Sequence, residues 1–339
     1  MADQIATQKH NLPLLATRET CSGRTYIVTG ANVGLGYEAA KHLASLGAAK
    51  VILAVRNITA GETAKTEIDA AAGTADTGVV QVWHLDLSSY DSVKAFAKRA
   101  ATELERIDAL IENAAVALSE RVLAEGHVAP ITVNVLSTLL LAALLLPEMS
   151  KKAKVFGITP RVTIVTSRVG FNSHETWEKI KDDPLTAMDA EDFSTFATYA
   201  YSLLSSLTNQ PTTQPQPPPN PFPPNSPLPF HLARFHTLTN MPPPTSYPLS
   251  KLLETFAVRH LATSLLPSTK TGVIINLVCP GFCVTELARN APPEMQAGFR
   301  ERHKLFGRSA EDGSRTLLHG AVAGVESHGM LLHSCEVGE

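Results

Sequence analysis

No two of the four cysteines stand at C-x-x-C spacing. Cys21, Cys279, Cys283 and Cys335 are scattered over 339 residues, which argues against a dithiol redox motif and fits a reduced, cytoplasmic setting. The twelve histidines form no H-E-x-x-H or related pattern, so no metal is expected. A surplus of one charge is also missing. The 29 Lys and Arg nearly balance the 32 Asp and Glu, and without a basic excess nothing points to nucleic acid. The longest greasy run, Leu136 to Leu146, falls short of the ~20 residues a bilayer requires and reads as a buried helix. Met1 to Ser22 lacks the apolar centre of a signal peptide and reads as a polar N-terminal extension. What remains is an ordinary globular composition, 44% hydrophobic, with length for one large domain or two small ones.

The most informative stretch is Thr29-Gly30-Ala31-Asn32-Val33-Gly34-Leu35-Gly36. An apolar run, Tyr26-Ile27-Val28, precedes it, and the pattern after Gly36 is helical as far as Gly47. Strand, glycine turn and helix in that order make a dinucleotide site. Glycine lets the backbone come close to a ligand, and the free N–H groups of the helix start face a phosphate.

Strands and helices then alternate, which predicts a parallel sheet covered by helices on both faces. Lys50 to Asn57 is a near-continuous apolar run, as in a strand buried on both sides. Arg56 stands at its end, where an acidic residue would accept from a ribose 2′-OH and an arginine suits a 2′-phosphate, so NADP(H) is expected over NAD(H). A third strand, Val79 to Leu87, places Asp86 at its end, either as an acceptor for the adenine amino group or as the cap of the next helix. A fourth, Ala109 to Glu112, leads into Asn113-Ala114-Ala115, small enough for a close cofactor approach. Asn134 falls within the apolar face of a helix over 131–149, where it must find polar partners and either holds a kink or serves a site. The fifth strand, Arg161 to Ser167, leaves the Ser167 hydroxyl at a carboxyl end, where ligands of open α/β sheets bind.

From Leu203 to Pro244 the pattern breaks, and this stretch holds more than half of the 23 prolines. It reads as a disordered insertion, or as a translated intron, rather than as an SH3- or WW-type ligand. Helical order resumes at Ser246, where Tyr247 and Lys251 stand i to i+4 on one helix face. A sixth strand, Gly272 to Cys279, runs into Pro280-Gly281 and on to Thr285, and Ser327 to Leu332 contains a last short strand.

Taken in chain order, these motifs resemble the short-chain dehydrogenase/reductase family. They are T-G-x-x-x-G-x-G at Thr29–Gly36, Asp86-Leu87, the N-A-G-like Asn113-Ala114-Ala115, Asn134, Ser167, Y-x-x-x-K at Tyr247 and Lys251, and P-G-x-x-x-T at Pro280–Thr285. Val55-Arg56-Asn57 and the context of Tyr247 are similar to retinol-dehydrogenase-like and fungal secondary-metabolism reductases. The resemblance implies an α/β fold: a doubly wound parallel sheet (Rossmann fold), three layers, one domain over 23–339 interrupted at 203–244. It implies NADP(H) held by Gly30, Asn32, Gly34, Leu35, Gly36, Arg56, Asp86, Leu87, Asn113, Ala114, Pro280, Gly281 and Thr285, with Tyr247 and Lys251 at the nicotinamide ribose. The same resemblance makes Tyr247 the proton donor or acceptor, Lys251 the charge that favours its phenolate, Ser167 the group that polarises the substrate oxygen and Asn134 the holder of a water. The substrate would be a hydrophobic carbonyl or alcohol and the assembly a homodimer. Glu112 and Ala115 depart from the family's Asn and Gly. Both are tolerable in this branch, whereas the insertion before Tyr247 and the early stop at Glu339 keep open an NADP(H)-binding protein without turnover.

Overall fold

The computed structural model describes residue 5, residues 7–189 and residues 246–338. The expected insertion at 203–244 lies outside the described residues.

Six parallel strands follow the predicted order: β1 (Thr25–Thr29), β2 (Lys50–Val55), β3 (Val80–His84), β4 (Ala109–Glu112), β5 (Arg161–Val165) and β6 (Ile274–Cys279). β7 (Leu331–His333) adds a seventh in parallel, and β8 (Glu336–Val337) closes the edge antiparallel to it. In space the order is β8-β7-β6-β5-β4-β1-β2-β3. The sheet is parallel as expected, with one short antiparallel strand added at this edge. Ser334 and Cys335 take φ values of 51° and 59°, the geometry of a two-residue hairpin turn without the glycine or asparagine that would announce it.

The strands are mostly apolar because each side of the sheet has its own core. In β2, Ile52 and Ala54 face one cluster while Val51, Leu53 and Val55 face the other. The first cluster is roofed by α3 (Tyr90–Glu103) and α4 (Thr138–Phe156), through Val93, Phe96, Leu141, Leu145 and Met149. The second is roofed by α1 (Gly34–Ser45), α2 (Ile58–Ala72) and, near the C-terminus, α7 (Ala310–Val322), through Leu43, Ile68, Leu317 and Leu318. Two further helices frame the site, α5 (Ser246–His260) and α6 (Pro293–Phe306). The helical run Ala129–Phe156 is the one span among the described residues long and apolar enough to cross a membrane, but 72% of its apolar window is buried inside the fold.

Strand order reverses between β1 and β4, and their carboxyl ends open the crevice in which ligands of such sheets bind. The N-terminal stretch closes part of the same face. Leu12 and Ala16 are buried, Asp312 accepts from the N–H groups of Asn11 and Leu12, and the buried Arg308 donates to Lys9 O at 2.7 Å.

Candidate active site

A cavity of about 930 Å³ runs along these carboxyl ends, from Arg56 past the glycine turn to Ser167, Tyr247 and Lys251. At its centre the turn after β1 bends through Gly30 and Gly34, with φ values of +64° and +63° that side chains disfavour. No side chain caps the start of α1, so its first N–H groups remain for a ligand. Thr29 Oγ1 accepts from the N–H groups of Asn113 and Ala114, both at 2.9 Å, and Asn113 Nδ2 donates to Thr29 O. These bonds lock the ends of β1 and β4 together. Asn32 and Leu35 line the wall, and the methyl of Thr285 stands over Gly34. The open helix start and the length of the groove fit a dinucleotide.

At one end of the cavity, Arg56 is exposed just beyond β2 and has no carboxylate partner among the described residues. Asp86 also lines this end but does not end a strand, since β3 stops at His84. Its Oδ1 accepts from Ser88 N at 2.9 Å and Ser88 Oγ at 2.6 Å, while Ser89 caps α3. A local hydroxyl-rich turn thus ends the strand two residues early. Leu87 sits in the core and reaches the cavity wall.

Towards the other end, the loop after β5 packs on α5 with no room to spare. A Cβ on Gly170 would stand 2.8 Å from Leu252 N, so glycine lets the Ser167 loop lie against the helix carrying Tyr247 and Lys251. The Ser167 hydroxyl accepts from Val169 N and neighbours the Tyr247 phenol. Burial, then the charge of Glu254 and the thiol of Cys279, push that phenol well above its ordinary range, and the neighbouring Ser167 hydroxyl offsets part of the rise. The expectation that Lys251 lowers it is not met in this state. The Lys251 ammonium points instead into a buried recess, donating to Val165 O at 2.8 Å and to Glu254 Oε1 and Oε2 at 3.0 and 3.1 Å.

Asn134 sits in a π-helical turn, Thr132–Ser137, leading into α4. Its Oδ1 accepts from Val116 N, and its Nδ2 donates to Val116 O and Ser250 Oγ. With both amide hydrogens committed, Asn134 splices α5 to the loop after β4. Only a remaining acceptor lone pair is left to hold a water.

Several wall residues carried no sequence signal. Phe282, in the loop after β6, packs its ring 4.4 Å from the His303 ring of α6, Phe299 lies beside both, and the Arg302 guanidinium sits 5.8 Å from the Phe282 ring. Burial, reinforced by Arg302, holds His303 below its ordinary value, so it is neutral at physiological pH. Gln8 ties the N-terminal stretch to this loop, accepting from Phe282 N and donating to Phe282 O. Pro280 and Gly281 also line the cavity. Among the described residues no three His, Cys, Asp or Glu side chains are grouped to hold a metal.

Residues 24–178 match the family described as short chain dehydrogenase. A short chain dehydrogenase/reductase of Cryptosporiopsis sp., dmxR8, is 38% identical over 317 residues, covering 94% of this chain and 83% of its own. The short chain dehydrogenase atnD of Emericella nidulans is 34% identical, covering 88% and 79%. Among solved structures, a putative NAD(P) dependent gluconate 5-dehydrogenase from Beutenbergia cavernae, with bound NADP at low occupancy, superposes with a TM-score of 0.57 at 20% identity, covering 92% and 95% of the two chains.

Proposed function

Because the chain belongs to the short-chain dehydrogenase/reductase family, we propose that it is a cytoplasmic, NADP(H)-dependent oxidoreductase of secondary metabolism interconverting a carbonyl and an alcohol on a hydrophobic small molecule. The observation that carries this reading is the opening of the glycine turn and of Ser167, Tyr247 and Lys251 onto one groove. When bound, the dinucleotide supplies the hydride. Ser167 and Tyr247 then hold the substrate oxygen between two hydroxyls, and the Tyr247 phenol gives its proton to that oxygen in reduction or takes it back in oxidation. Lys251 binds the nicotinamide ribose and supplies the positive charge that makes the phenolate accessible. Asn134 keeps α5 in register with the substrate end. The Phe282–His303–Phe299 wall favours a flat, apolar ring system in the remaining space.

The preference for NADP(H) rests on Arg56. Arg56→Ala should weaken NADPH binding roughly 10- to 100-fold, the worth of one charge-assisted hydrogen bond to phosphate, and leave NADH binding unchanged. Titration of the quenching of protein fluorescence measures both, and an equal loss for the two dinucleotides would remove Arg56 from the 2′-phosphate.

A second reading, an NADP(H)-binding protein without turnover, draws on the engagement of every Lys251 N–H with the protein itself. Turnover of hydrophobic ketones with NADPH separates the two.

A further inference from the structure

Behind Lys251 the protein buries more charge than a proton shuttle requires. Lys251 is 2% exposed, Glu254 1% and Glu112 4%. Lys251 and Glu254 lie one helical turn apart on α5, and the ammonium meets both carboxylate oxygens, as a charged pair does. The Thr166 hydroxyl, just beyond β5, bonds Lys251 O and the Thr255 hydroxyl beside the pair. Glu112, the last residue of β4, faces the pair with both oxygens unpartnered among the described residues. Two carboxylates and one ammonium in so dry a recess carry a net negative charge that burial does not tolerate, so one carboxyl holds a proton. Burial and the Glu254 charge drive Glu112 well above its ordinary range, with Lys251 opposing, and Glu112 is therefore the protonated member.

Lys251 lines the groove together with Tyr247, whereas Glu254 and Glu112 do not reach its wall. Tyr247 lies one turn before Lys251 on the same helix, and the charges and thiol around its phenol come from Glu254 on α5 and Cys279 at the end of β6. The Ser167 hydroxyl reaches it from the loop after β5. All three ammonium hydrogens of Lys251 are taken by Val165 O and the Glu254 carboxylate.

We propose that Glu254 is a positioning residue that clamps Lys251 and withholds its charge from Tyr247, keeping the phenol protonated in the cofactor-free enzyme. The tyrosine is activated only when Lys251 releases Glu254 towards the groove, and Glu112, already neutral, keeps the recess from accumulating a second negative charge. This rests on the reading of Tyr247 as the proton-transfer group, but its test needs no turnover.

The test is an ultraviolet titration of the Tyr247 phenolate without cofactor, taken as the difference between the protein and its Tyr247→Phe variant. The unmodified protein should show no ionisation at Tyr247 below about pH 11, above the ordinary ~10 of a free phenol. Glu254→Gln removes the clamp and its charge, and should bring the ionisation down by at least about one pH unit. Glu254→Asp, which keeps the charge, should titrate within about half a unit of the unmodified protein. A Glu254→Gln curve at or above that of the unmodified protein would overturn the proposal, as would an Asp variant that behaves like Gln. Should Glu254→Gln not fold, the unmodified protein with and without NADP+ answers the same question. Ionisation must move to lower pH with the dinucleotide bound, and coincident curves would contradict the clamp. If the titrations behave as expected while no ketone is turned over, the clamp stands and the redox reading falls.

Discussion

Tyr247→Phe should abolish nearly all turnover, lowering kcat by roughly 10²- to 10⁴-fold, the contribution of one positioned proton donor. The substitution keeps the ring and removes only the hydroxyl, whose neighbour in the site is the Ser167 side chain. NADPH binding should therefore stay within a few-fold of the unmodified protein. The pH dependence adds a sign. Carbonyl reduction uses the protonated phenol, so it should fall as pH rises through the ionisation of Tyr247 in the cofactor-bound enzyme, which the release of Glu254 sets below that of the free protein. Alcohol oxidation uses the phenolate and should rise with pH over the same interval. Near-normal turnover in the variant, measured by stopped-time product analysis, would assign the proton to another group.

Lys251→Met should cost the fold about 3–5 kcal/mol near neutral pH. The methionine keeps most of the stem volume but leaves the Glu254 carboxylate, 1% exposed, without its cation. Burial already raises Glu254 above the ordinary value of 4.5, and Lys251 restrains that rise. A raised carboxyl binds its proton more tightly folded than unfolded. Its contribution is thus complete below the unfolded value near 4.5 and is lost as pH climbs through the folded value. Removing Lys251 enlarges this rise, so the deficit of the variant should be smallest at about pH 4.5 and widest in the alkaline range. Urea denaturation of both proteins at several pH values measures the gap, and a gap independent of pH would mean that the pair is not ionised.

The layers of this fold were legible because each strand is a run of apolar residues at the right length, and because a glycine turn followed β1. The edge hairpin was not, since Ser334 and Cys335 adopt left-handed backbone without glycine or asparagine to mark it. In the site, the motif residues Ser167, Tyr247 and Lys251 do line one cavity, as chain order suggested. What chain order could not convey is direction. Lys251 and Tyr247 share a helix face by spacing, yet the ammonium turns to Glu254 because a buried carboxylate three residues on offers a stronger partner than a neutral phenol. Glu112 read as a tolerable departure from Asn, and its meaning emerged only when the fold buried it within reach of the Glu254 and Lys251 charges. The Phe282–His303–Phe299 wall depends on α6 folding back over the loop after β6, a long-range packing without local periodicity.

If this groove performs NADPH-dependent carbonyl chemistry, it consumes NADPH only when a carbonyl substrate is present. The most direct measurement is NADPH oxidation, followed at 340 nm, against a panel of hydrophobic ketones and aldehydes, with the chain as written and with a version lacking residues 203–244. The expected result is ketone-dependent oxidation that disappears in Tyr247→Phe. Stoichiometric NADPH binding by both chains, with no oxidation of NADPH by any ketone or aldehyde of the panel, would contradict the account and leave a dinucleotide-binding protein.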